Sequence, residues 1–178
     1  MIFLKGLWAN IKHLLKLSDL YYSGELVTLF KQYNKKYFNG VLPVIPIYVD
    51  NAMYAWGKFM AQPYLEERIM KPSHILINLH KVNNEEDLLN TLVHEMVHYY
   101  ETLCHSYITD DIWRQANNYY EDYLMAVELD DSNPERFLDR ITKILFIPHT
   151  DYFKEVCHEL NTKHKELCLK VTGSGERL

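Results

Sequence analysis

The run His94-Glu95-Met96-Val97-His98 constrains this chain more than any other, because it sets two imidazoles four residues apart with a carboxylate beside the first. On a helix, side chains four apart lie on one face about one turn apart, so both rings reach a single zinc ion. Glu95 leaves the helix at a neighbouring angle, where it holds or deprotonates a water. A shuffled chain of this composition contains about 0.03 copies of H-E-x-x-H, so coincidence is a poor account. The ordinary alternative is a helix with two half-buried, hydrogen-bonded histidines. Burying imidazoles and a carboxylate without partners costs several kcal/mol, and that cost favours a bound metal.

The flanking residues place the motif inside a helix. Leu88, Leu89, Leu92, Val93, Met96 and Val97 recur at i, i+3, i+4 and i+7 spacing. Asn83 or Asn84 is the expected N-cap, and Glu85, Glu86 and Asp87 sit on the positive end of the helix dipole. The helix is expected to run from Glu85 to Leu103.

A chain of 178 residues with 48% hydrophobic content folds most simply as one domain with a sizeable core. Its three cysteines, Cys104, Cys157 and Cys168, form no C-x-x-C pair, so neither a disulfide framework nor a cysteine zinc ribbon is encoded. Free thiols in a reducing, cytoplasmic compartment are the expectation. Cys157 and Cys168 are read as small core residues of a C-terminal helix.

Residues 1–20 read as an N-terminal amphipathic helix, in which Ile2, Phe3, Leu4, Leu7, Trp8, Ile11, Leu14, Leu15 and Leu17 are joined by Lys5, Lys12 and Lys16. The apolar run is too interrupted for a signal peptide and too short to span a bilayer. Packing on the domain is preferred over a membrane surface or a partner. The net charge of −5 is concentrated between residues 110 and 136. There Asp110, Asp111, Glu121, Asp122, Glu128, Asp130, Asp131 and Glu135 face only Arg114 and Arg136. No basic excess of the kind nucleic-acid binders carry is present.

Along the chain, Ser23 to Phe38 reads as a helix with Leu26, Leu29, Phe30, Tyr33 and Tyr37 inward, stopped by Gly40. Val41 to Val49 reads as a strand, with Pro43 and Pro46 placing it at an edge or behind a kinked loop. A second strand is expected near Ala55 to Met60, where Gly57 marks a close backbone approach or a bulge. Ala61 to Ser73 is expected to be a loop. His74 to His80 is the clearest strand, and as the one before the motif helix it is the expected open edge on which an extended substrate would add. Beyond the motif, a helix over Asp111 to Leu129 is expected to turn Trp113, Ala116, Tyr120, Leu124 and Val127 to one side. A short helix over Pro134 to Phe146 and a last one from Asp151 to Lys170 follow.

A catalytic zinc site takes three protein ligands and leaves one position open. His105 lies two turns beyond His98, about 10 Å further along, and Glu101 points past the site. His149 is preferred as third ligand, since a turn between Pro148 and a helix can aim a side chain at another helix. His158 and then His164 come next, while Glu121 or Glu128 would complete a His-His-Glu set.

Several blocks, taken in order, bear on this choice. They are Leu29-Phe30, Tyr33-Asn34-x-x-Tyr37-Phe38-Asn39-Gly40-x-Leu42-Pro43, Trp56-Gly57-Lys58-Phe59, Ile75-Leu76-Ile77-Asn78, and Leu89 through Tyr99. Together they resemble the SprT-like zinc metalloprotease domain of the Spartan/SprT family. The likeness spans about residues 23–105 and resumes at His149-Thr150-Asp151-Tyr152-Phe153-Lys154. It implies a zincin-like α+β single domain over residues 21–178, with a small, mostly antiparallel three-stranded sheet packed on helices. It also implies Zn2+ held by His94, His98 and His149, with Glu95 as general base for hydrolysis of peptide bonds in protein substrates. Fifty residues separate His98 from His149, so an acidic helical insertion is expected at about residues 107–145. Thr150 stands where the family has glycine, and the C-terminal cysteine zinc ribbon found in many members is missing. Relatives of Spartan digest proteins crosslinked to DNA; DNA association here follows from the resemblance alone and not from the charge. The alternative reading is a non-catalytic, zinc-stabilised binding protein that uses the acidic insertion to engage a basic or nucleic-acid-binding partner.

Overall fold

The computed structural model describes residues 20–64, 67–105, 107–145 and 149–171. The amphipathic helix expected over residues 1–20 lies outside them, apart from Leu20. Helix α1 (Gly24–Tyr37) begins where the Ser23 hydroxyl accepts the Leu26 N–H. It ends where Asn39 and Gly40 turn left-handed. Asn34, buried in that helix, then binds both the N–H and the carbonyl of Leu42, so the chain leaves at a fixed angle.

Four strands follow or flank α1: β1 (Leu20–Tyr22), β2 (Ile47–Asp50), β3 (Gly57–Tyr64) and β4 (Ile69–Ile77), in the order β1-β2-β4-β3. β2, β4 and β3 make the three-stranded mixed sheet of an α+β fold, parallel between β2 and β4 and antiparallel between β4 and β3. The short β1 adds a fourth strand at the far side, antiparallel to β2. β2 is therefore interior, entered through the loop that holds Pro43 and Pro46.

Two expectations need correcting. Residues 61–73 are mostly not a loop, because β3 continues to Tyr64 and β4 starts at Ile69. The prolines fit this hairpin because Pro63 lies on the edge strand and Pro72 lies opposite a register shift at Met60/Ala61, beyond the end of β2. The strand before the motif helix is not the open edge either. β4 is paired on both sides at Ile75–Ile77, and among the described residues the edge strands are β1 and β3, β3 being the one beside β4.

Helix α2 (Glu85–Cys104) carries the motif, capped by Asn84, whose side chain accepts the Asp87 N–H. Leu88, Leu92, Val93, Met96, Val97 and Tyr99 are buried against Ile47, Val49, Phe59, Ile75 and Ile77 of the sheet and Leu26 and Phe30 of α1. Each such side chain contributes about 1.5–3 kcal/mol. Tyr99 stacks between Phe30 and Phe59, at centroid distances of 6.3 and 5.6 Å, and its hydroxyl donates to the Pro43 carbonyl at 2.9 Å.

Helices α3 (Asp110–Glu128) and α4 (Glu135–Leu145) pack on each other. Of the stripe expected on one side, Ala116 joins Ala126 and Ile141 in the seam and Trp113 is half-buried, whereas Tyr120, Leu124 and Val127 are exposed. The pair is tied to the β3–β4 turn, where the Arg68 guanidinium lies over the Trp113 ring and pairs with Asp110. The Ile108 N–H donates to the Arg68 carbonyl and Ile69 bridges to Tyr107. Helix α5 (Asp151–Lys163) ends seven residues before the expected Lys170. The chain turns back at His164 because the Asn161 side chain takes both the N–H and the carbonyl of Leu169. Cys157 is buried in the core, but Cys168 is exposed on this returning segment rather than on a helix. Among the described residues, no helix is long and apolar enough to cross a membrane.

Candidate metal centre

Helical spacing puts His94 and His98 on one face of α2, and the turn before α5 brings His149 to them. Ring centroids are 5.1 Å apart for His94–His98, 5.0 Å for His94–His149 and 5.3 Å for His98–His149. The Nε2 atoms of His94 and His149 are 3.1 Å apart. One ligand atom from each of the three rings lies within 4.8 Å of the others. Zinc–nitrogen bonds of 2.0–2.1 Å at tetrahedral angles require nitrogens about 3.3 Å apart, so the donor set fits a zinc ion.

Electrostatics agree with that fit. Burial pushes His94 down to about 4 and His98 to about 3, and it lowers His149 as well. Neighbouring imidazoles add to the effect on His94 and His98, and Lys154 adds to it on His149. All three rings are thus neutral at pH 7, the form whose lone pair binds metal. Phe153, fully buried, is the floor of the cluster. Its ring stacks on His98 at 4.2 Å and meets His149 and His94 at 4.7 and 5.0 Å.

His149 has a left-handed backbone, φ 56°. Histidine visits this region more than most residues, at a cost of roughly 1–2 kcal/mol. Thr150 caps α5 by accepting the Phe153 N–H at 3.1 Å, and its hydroxyl donates to Glu101 of α2. Glu101 lies outside the histidine cluster, yet it holds the turn that carries His149.

Glu95 faces β3. Its carboxylate accepts the Phe59 N–H at 2.7 Å, on the edge of β3 away from β4. Burial pushes it up to about 8, against the lowering effects of that hydrogen bond and of Lys58. A Cβ at Gly57 would stand 2.7 Å from Glu95 Oε1, 2.8 Å from its Cγ and 2.9 Å from Thr91 Cγ2. Gly57 is thus the close approach that its place in the strand pattern indicated, and what approaches is the motif glutamate.

The other sequence candidates stay apart from this cluster. His158 is exposed on α5, and His164 lies edge-on to Tyr37 at 4.9 Å. Glu121 and Glu128 are exposed on α3, and His105 packs on Tyr152 at 4.4 Å. Sequence reasoning missed the roles of Phe153, Thr150 and Glu101. The spacing of Phe153 four residues after His149 was the available signal for the first.

A family model described as the SprT-like family matches residues 26–118. No curated protein and no solved structure matches the chain.

Proposed function

This chain belongs to the SprT-like family, and on that premise we propose that it is a zinc-dependent metallopeptidase that hydrolyses peptide bonds in protein substrates. The convergence of His94, His98 and His149 carries the reading. These three rings would hold the ion. When bound, zinc supplies Lewis acidity that lowers the pKa of a water toward neutrality and polarises the scissile carbonyl.

The remaining chemistry falls to Glu95. Its Oε atoms take a proton from the attacking water as the water oxygen bonds to the peptide carbon. The same carboxyl then returns the proton to the leaving nitrogen as the C–N bond breaks. In the metal-free chain burial raises its pKa to about 8 even with the Phe59 N–H and Lys58 lowering it; a metal cation held by the histidines would favour the carboxylate form that a general base requires. The Phe59 N–H fixes its orientation. The open edge of β3 runs past this carboxylate, so an extended substrate pairs there through its main chain. Free Cys104, Cys157 and Cys168 support a reducing, cytoplasmic setting. The test is Glu95→Gln, which should retain stoichiometric zinc while losing cleavage of a general protein substrate; undiminished cleavage sinks the mechanism.

The outer face of α3 favours a second reading. Tyr120, Leu124, Met125 and Val127 are exposed beside exposed Glu121, Asp122 and Glu128, a surface suited to a basic partner. In that reading the protein binds without cutting. Partner binding unchanged by Glu95→Gln, together with no zinc-dependent proteolysis in the parent, would select it.

A further inference from the structure

The hydrogen bonds of β3 fix which of its residues face β4 and which face away. The Asn78 N–H donates to the Trp56 carbonyl at 2.8 Å, and in the same register Lys58 stands opposite Leu76 and Met60 opposite His74. Antiparallel pairing alternates, so Lys58 and Met60 turn their N–H and C=O groups toward β4, while Gly57 and Phe59 turn theirs away. The Phe59 N–H accordingly reaches Glu95, at 2.7 Å. Between Met60 and Ala61 the partner on β4 changes from His74 to Pro72. Ser73 is the residue passed over, so the extra residue lies on β4 and the alternation of β3 continues. The outward row is therefore Gly57, Phe59, Ala61 and Pro63. Among the described residues no strand pairs with this side of β3, and Gln62, Pro63 and Tyr64 are exposed.

These outward positions are not equivalent. Phe59 has its N–H on Glu95, which marks the level of the reacting bond. Ala61 carries both an N–H and a carbonyl on the outer side. Pro63 has no N–H, and its ring projects where an incoming carbonyl would sit. We infer that the main chain of Ala61 grips the substrate and that Pro63 ends the grip. On that side of the reacting bond the protein then holds an extended segment of only about two to three residues. Because the nitrogen of Pro63 faces outward, an alanine there leaves the ladder to β4 intact. The inference rests on the peptidase reading above and deepens it, since Pro63 limits the length of substrate held and not its side chains.

The experiment lengthens a fluorogenic casein peptide one residue at a time from either end and measures KM and kcat with the zinc-loaded full chain. In the parent, KM should fall at the step that reaches Ala61 and level off at the step that reaches Pro63. Pro63→Ala supplies the missing N–H and should continue the fall at that step by about 2- to 10-fold, the worth of one net hydrogen bond, in KM and not in kcat. Ala61→Pro removes an outward N–H without touching the ladder, and should raise KM only for peptides that reach it. If Ala61→Pro does not fold, peptides N-methylated at successive positions test the same main-chain pairing in the parent. The same length dependence in the parent and Pro63→Ala would overturn the inference. A Pro63→Ala chain that self-associates with its length dependence unchanged overturns it too, since the proline would then only guard an exposed edge. A parent that cleaves no peptide with zinc bound overturns the peptidase reading instead, and fluorescence anisotropy of the same labelled series still decides whether Pro63 ends the grip.

Discussion

Helices α2 and α3 have 20 and 19 residues and both repeat apolar side chains at helical spacing, yet they end in opposite situations. α2 is laid across a sheet, with α1 and α5 also against it, and it buries eight residues, including Glu95. α3 has α4 and the Arg68 turn, buries only Ala116 and Ala126, and leaves Tyr120, Leu124 and Val127 in solvent. Periodicity shows that a helix has an apolar face; what covers the face depends on the other elements. Burial on α2 neutralises the histidines and raises Glu95, so the chemistry belongs to the helix with partners. The helix with fewer of them leaves an exposed face.

Glu95→Gln should produce the largest effect that sharpens this contrast, lowering the peptidase rate by about 10²–10⁴-fold with zinc content unchanged. Phe153→Ala removes the floor beneath all three rings and should cost about 3–5 kcal/mol in denaturant unfolding, with weaker zinc retention. Gly57→Ala pushes a methyl into Glu95 and Thr91. It should cost about 1–3 kcal/mol and depress activity more than zinc affinity; a fully active, equally stable variant would remove the close approach from the argument.

The contrast also has a pH signature in the metal-free chain. His94 and His98 are lowered in the fold, so below about 6.5 the unfolded chain binds more protons and stability is lost as pH falls toward 4 and 3. Glu95 is raised, so between about 4.5 and 8 the folded chain holds the extra proton and stability declines as pH rises. Two histidines outweigh one glutamate below 6.5, and Glu95 acts alone above it. The Tm measured in chelator should therefore peak near about pH 6.5; a Tm rising steadily to pH 8 would show that Glu95 is not held protonated. The smallest effect is expected on α3, where Leu124→Ser with Val127→Ser should change stability by about 0.5 kcal/mol or less per site and leave zinc binding alone. A loss as large as that of Phe153→Ala would break the comparison.

Much of the site could be read from local pattern. The H-E-x-x-H spacing, the Asn84 cap and the acidic first turn of α2 are all short-range features, and Gly57 announced a tight contact without naming its partner. His149 was preferred on its turn and on family likeness, and in the fold it stands beside His94 and His98. The misread elements were those whose state depends on distant chain. Pro63 and Pro72 looked like loop residues because the strand edge and the bulge that accommodate them are formed by pairing. The last helix, expected to reach Lys170, stops at Lys163 because Asn161 and Asn90 hold residues 168–169 in a returning segment.

By itself the sequence determined that two imidazoles and a carboxylate share one helix turn, because helix periodicity acts within a few residues. It also determined that the 110–136 stretch is acidic. Only the tertiary structure decided that β4 is interior and β3 an edge strand, that Phe153 and Glu101 support His149, and that the outer stripe of α3 meets solvent. Those outcomes depend on which surfaces meet across tens of residues, and no local pattern encodes the partner.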